Sequence, residues 1–154
     1  MKVRCIKTNS EDLAIGRDAV SYFDSLHDLG RPSEQKTYTP TVIGYESHVY
    51  AIKIKNGHAS YYIKHPKFGD LVHVPSVCFE ILDPRISKLW CIDHDYVEVV
   101  GRRQELLGEF CSRTTMAIKE WIDEPRFLEF YLDGKEREVR IMNNAVRQMD
   151  AEFE

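Results

Sequence analysis

Histidines, cysteines and closely spaced carboxylates are the side chains in this sequence able to hold a metal or move a proton, and their spacing decides which chemistry is open. Six histidines (His27, His48, His58, His65, His73, His94) are scattered, and one approaches a thiol in Cys91-Ile92-Asp93-His94. Structural zinc takes four ligands converging from two rigid turns, and a second close pair is missing. The four cysteines (Cys5, Cys78, Cys91, Cys111) form no CxxC pair and are too sparse for a secreted disulfide framework. They are expected to be reduced and mostly buried, as free cysteines are. No metal or other cofactor is expected. Asp93 with Asp95, and Asp123 with Glu124, are close enough for acid and base work, yet acids beside turns act more often as solvated caps. No Gly-x-Ser-x-Gly elbow, phosphate loop or dinucleotide fingerprint is present. The expectation is a protein without catalysis and without catalytic residues.

Recognition is the other chemistry on offer, and one segment defines where it sits. Val49-Tyr50-Ala51-Ile52-Lys53-Ile54-Lys55 and His58-Ala59-Ser60-Tyr61-Tyr62-Ile63-Lys64 flank Asn56-Gly57. Asn-Gly between alternating runs is the type I′ hairpin signature, because both turn positions need positive φ. Pairing outward sets Ile54 opposite Ala59, Ile52 opposite Tyr61 and Tyr50 opposite Ile63 on a core face, with Lys55, Lys53 and Ala51 meeting His58, Ser60 and Tyr62 on a wet one. An aromatic, Tyr62, among Lys53, Lys55, His58 and Lys64 is how small barrels stack single-stranded nucleic acid. Lysines on an edge hairpin also guard against edge-to-edge aggregation, and that reading is preferred here.

The remaining elements must carry this hairpin. Lys2 to Lys7 reads as a strand with Val3 and Cys5 on one face. Residues 18–29 read as a helix, with Ala19, Val20, Phe23, Leu26 and Leu29 in one stripe and Gly30 ending it. Thr41 to Ile43 leads to a bend at Gly44, Leu71 to Val74 is a short strand, and Pro75-Ser76 is a tight turn feeding a closing strand that Asp83-Pro84 stops. Between residues 91 and 111, Tyr96 to Val100 alternates like a strand, while Gln104 to Phe110 fits helix or strand. From Ser112 onward the spacing predicts helix: Met116, Ala117, Trp121 and Ile122 share a face, Pro125 opens the next segment, Asp133-Gly134 ends it, and Val139, Met142, Val146, Met149 and Phe153 mark a last amphipathic helix. The expected fold is one α+β domain over 1–154, a curved antiparallel sheet or small partly open β-barrel with helices packed on it and a C-terminal helix. Residues 1–90 would be mainly β, with the helical insertion near 18–29, and 112–154 mainly helical.

Composition agrees with a folded domain. The chain has 154 residues, 43% hydrophobic and 30% charged, and a net charge of −4, with the acidic excess in the second half. That acidic balance argues against a nucleic-acid surface there, since phosphate binding wants clustered Lys and Arg, and it suits a basic protein partner, although a moderately negative surface also serves solubility. No apolar run approaches the roughly 20 residues that cross a bilayer, so a soluble cytoplasmic protein is expected.

Three groups of residues resemble a known set of proteins: Thr41-Val42-Ile43-Gly44-Tyr45-Glu46-Ser47-His48-Val49-Tyr50-Ala51-Ile52 with Tyr61-Tyr62-Ile63; Phe79-Glu80-Ile81-Leu82-Asp83-Pro84-Arg85-Ile86-Ser87-Lys88-Leu89-Trp90; and Trp121-Ile122-Asp123-Glu124-Pro125-Arg126-Phe127, Leu132-Asp133-Gly134 and Met149-Asp150-Ala151-Glu152-Phe153. They are similar to small bacterial proteins of the kind that serve as immunity partners of polymorphic or contact-dependent toxins. The likeness spans roughly 40–90 and 118–154; residues 17–36 resemble an insertion and 91–111 have no counterpart. What the resemblance implies is a non-catalytic protein that binds and neutralises a cognate toxin, possessing no membrane contact. Many such toxins are nucleases with basic clefts, so the partner-binding residues are expected in the acidic tract Asp93, Asp95 and Glu98 with Trp90 or Tyr96 as aromatic anchor. An RNA or single-stranded nucleic-acid module is the alternative, and an unrecognised enzyme the third reading.

Overall fold

The computed structural model describes residues 1–8, 41–55, 57–98 and 110–154, so the expected helix at 18–29 and the segment 99–109 lie outside the described residues. Seven antiparallel strands form one open sheet: β1 (Lys2–Cys5), β2 (Glu46–Lys55), β3 (His58–Lys64), β4 (Leu71–Pro75), β5 (Phe79–Asp83), β6 (Trp90–Glu98) and β7 (Phe110–Ile118). Three helices follow, α1 (Lys119–Asp123), α2 (Phe127–Leu132) and α3 (Glu136–Ala151). Among the described residues no helix is long and apolar enough to cross a membrane.

β2 is the pivot. One edge pairs with β3, and β3 with β4. The other edge is shared, since β1 takes Glu46 to His48 and β7 takes Ile52 to Lys55. β1 continues to β5 and β7 to β6. The sheet therefore forks along β2 and curls.

The hairpin register holds from the turn as far as Ala51 opposite Tyr62, with Gly57 at φ 80° in the turn. Beyond that it breaks. Ile63 lies opposite Val49, not Tyr50, because a β-bulge inserts one residue between Val49 and Ala51. Val49 and Ile52 consequently face one side, and Tyr50 and Ala51 both face the other. All four are buried.

Both faces of the sheet are covered, which corrects the expectation of one wet face. The inner core gathers Val3, Cys5, Val49, Ile52, Tyr61, Ile63, Val74, Cys78 and Phe79 inside the curl. On the outer face, Tyr50, Leu71, Ile118, Phe127, Met142, Val146 and Met149 join β2 and β4 to α2 and α3. Ala51, Tyr62 and Ala117 lie there too, beneath Trp121, Ile122 and Leu128 of α1 and α2. The hairpin is also interior to the sheet, so its lysines guard no edge.

The region expected to be helical from Ser112 begins as a strand. β7 runs to Ile118, and helix starts only at Lys119. Met116 pairs with Ile52 and packs on the inner core, whereas Trp121 packs outside, so the residues of the expected stripe serve opposite faces. The β-branched pair Thr114-Thr115 favours the extended form that pairing with β2 and β6 completes. The later signals hold: Gly134, at φ 73°, ends α2, and α3 buries Met142, Ala145, Val146 and Met149.

The helix face gives a direct test by urea denaturation. Met142, 1% exposed, should cost about 2–5 kcal/mol as Met142→Ala. Leu132, 63% exposed, should change stability by less than about 0.5 kcal/mol as Leu132→Ala. Equal costs would contradict this packing.

Candidate functional site

Strand pairing brings two rows of charged residues together on the outer face. Lys53 lies opposite Thr115, which lies opposite Asp93; Lys55 lies opposite Arg113, which lies opposite Asp95. Period-two alternation puts them on the side occupied by Ala51, Tyr62 and Ala117. Helices α1 and α2 stop short of them. The result is a cleft of about 230 Å³ floored by Lys53, Thr115, Arg113 and Asp93 and walled by Trp121, Ile122, Pro125 and Leu128.

Electrostatics in this cleft are incompletely balanced. Arg113 Nη2 donates to Asp95 Oδ2 at 3.4 Å, but its buried Nε has no hydrogen-bond partner among the described residues. Lys53 is half-buried, and no hydrogen bond or ion pair to a described residue holds its ammonium. Burial, then the neighbouring Arg113 and Lys55 charges, lowers the Lys53 pKa from its ordinary value.

The five residues expected to bind a partner all fall on β6, but they divide by role. Trp90 turns inward between the two cores and donates Nε1–H to the Tyr50 carbonyl at 3.0 Å, satisfying a backbone acceptor at the bulge. It is half-buried there. Asp93 enters the cleft, and Asp95 is exposed beside Arg113. Tyr96 and Glu98 pair with Ser112 and Phe110. Ile92, not singled out from the sequence, is 64% exposed on the Met116 side of the same strand, where the sheet stays open.

Other candidate chemistry separates in space. Cys91 and His94 are three apart on one strand and so point to opposite faces. Cys5 and Cys78 are buried, in keeping with cysteines expected to be mostly buried, and Cys91 is exposed. Among the described residues no group of His, Cys, Asp or Glu is placed to hold a metal. Asp123 pairs with Lys119 and Glu124 with Arg137, so that carboxylate pair is committed to ion pairs. The aromatic platform for nucleic acid is lost as well. Tyr62 is buried, stacked on His73 at 4.8 Å and edge-on to Trp121 at 4.8 Å, and burial pushes its hydroxyl up to about 12.

One cluster escaped sequence reasoning altogether. Asp150 of α3 accepts from His48 Nδ1, the Tyr50 hydroxyl and Lys64 Nζ, each at 2.7 Å. An ionised carboxylate only accepts, so His48 carries its proton on Nδ1. Lys64 also lies over the Tyr50 ring at 5.2 Å, and Phe153 packs on His48. These bonds tie α3 to β2 and β3, and none of the four residues lines the cleft between β2, β7 and the helices. A carboxylate, an imidazole and a phenol together resemble catalytic equipment, yet every short contact within the group is spent on joining layers. Comparison with protein-family models, curated proteins and solved structures found no match.

The network carries a pH signature. Burial raises the Asp150 pKa, but the bonds from Lys64, His48 and Tyr50 outweigh it and hold the carboxyl below its ordinary 3.8. A depressed carboxylate adds stability above its unfolded pKa and loses it as pH falls through the lower folded value. Asp150→Asn should therefore be less stable than the unaltered chain at pH 7, with the gap closing as pH falls below about 4 in thermal melts. A gap that persists to pH 2 would contradict the network.

Proposed function

We propose that this chain acts by binding another protein, without catalysis, as an immunity protein that neutralises a cognate bacterial toxin in the cytoplasm. The observation that carries the reading is the composition of β6. β6 pairs with β7 alone among the described strands, so a partner gripping its edge meets Asp93 and Asp95 on one face and the exposed Ile92 on the other, acidic steering groups with an apolar anchor. Trp90, committed to the interior, leaves Ile92 as the apolar contact. The resemblance of residues 40–90 and 118–154 to immunity proteins supports the same conclusion. An acidic rim suits a toxin with a basic cleft, since charge complementarity speeds encounter and rejects wrong partners. The nucleic-acid reading loses support from the burial of Tyr62.

The test is calorimetric titration with the toxin domain encoded beside this gene. A 1:1 complex is expected, weakened at least tenfold by the double variant Asp93→Lys, Asp95→Lys at unchanged melting temperature. Absence of binding by the unaltered chain would overturn the immunity reading. Equal affinity of the double variant would remove β6 as the surface.

A further inference from the structure

The cleft between β2, β7 and the α1–α2 wall carries an inference independent of any protein partner. Its cations are arranged against the interests of folding. Lys53 is half-buried beside Arg113 and Lys55, with no hydrogen bond or ion pair to a described residue. The buried Nε of Arg113 is likewise unanswered. A desolvated, unpaired cation beside two more is unfavourable, and an apolar residue in its place would stabilise the fold. Unbalanced charge converging on a concavity marks a binding site rather than a structural one.

We propose that this cleft binds a small organic carboxylate on an apolar body about the size of one ring, with Lys53 as the principal donor to the carboxylate, the Arg113 charge beside it, and Trp121 with Leu128 covering the body. Size decides the body. About 230 Å³ is below the roughly 300–1,000 Å³ of sites for drug-sized ligands, but it holds several waters' worth of space at about 30 Å³ each. Chemistry decides the head group, because a guanidinium edge and an ammonium both donate and neither accepts.

Asp93 decides the pose. It lies across Thr115 from Lys53, two strand spacings or about 9.5 Å along the sheet. An anion must therefore sit on the β2 side, with Asp93 repelling it from the β6 side. Asp95 engages Nη2 of Arg113, so Lys53 is the cation that meets the head group directly. Thr115, between the columns, offers a hydroxyl to the same head group.

Benzoate, with benzamide as its uncharged counterpart, is the probe, titrated into the full chain and followed by amide chemical shifts. Benzoate should saturate in the millimolar range, moving Lys53, Thr115 and Trp121, with benzamide at least tenfold weaker. Lys53→Met keeps the side-chain stem and removes the charge; it should bind benzoate at least tenfold more weakly while melting no lower than the unaltered chain. Asp93→Asn should bind about two- to threefold tighter by losing a like charge. No saturation by about 50 mM benzoate, equal binding of benzamide, or unaltered binding by Lys53→Met would each overturn the proposal. None of these outcomes bears on toxin binding.

Discussion

One additional residue in β2 sets the arrangement of everything around it. With strict alternation, Tyr50 would share the inner face with Ile52 and sit opposite Ile63. The bulge instead sends His48 and Tyr50 to the outer face, where Ala51 already points, and brings Val49 inside with Ile52. It coincides with the fork, where β1 ends its pairing and β7 has not begun. A bulge leaves backbone groups to be satisfied elsewhere, and the Trp90 indole donates to the Tyr50 carbonyl. The Val49 amide meets the Met1 carbonyl at 2.9 Å. The helical layer then has something to hold: Asp150 reaches His48 and Tyr50 together only because both project outward.

Features fixed by neighbours in sequence were legible; those fixed by distant contacts were not. Asn56-Gly57 determined the register for the residues nearest the turn, because turn geometry and side-chain alternation act over a few residues. The strands at Lys2–Cys5 and Leu71–Pro75, the turn after Pro75 and the amphipathic α3 were readable for the same reason. The bulge was not, since Val49, Tyr50 and Ala51 are all able to be buried and only a two-sided core distinguishes them. β7 was mistaken for helix because Met116, Ala117, Trp121 and Ile122 have helical spacing, although the strand-to-helix junction at Ile118 and Lys119 falls between them. Tertiary pairing overrode a short periodic pattern.

The candidate site shows the same division. Asp93 and Asp95 were visible as acids, but their neighbours Lys53 and Arg113 come from two other strands, and no spacing in the sequence announces that meeting. Trp90 was visible as an aromatic beside charge, but its bond to the Tyr50 carbonyl comes from a residue 40 positions away. Asp150 and its donors are separated by as many as 102 positions, so nothing local connected them. Two kinds of polar assembly result. Around Asp150 three donors meet one carboxylate, and the geometry is closed. In the cleft, Lys53 and the Arg113 Nε have no acceptor among the described residues, and the geometry is open.

The central claim is that the β2–β3 ladder slips by one residue at Tyr50, and nuclear Overhauser contacts across that ladder measure it. The account predicts contacts pairing the backbone of Val49 with Ile63, together with contacts from the Tyr50 ring to the Lys64 side chain. Backbone contacts pairing Tyr50 with Ile63, with the Tyr50 ring touching Val3 or Phe79 in the inner core, would contradict it.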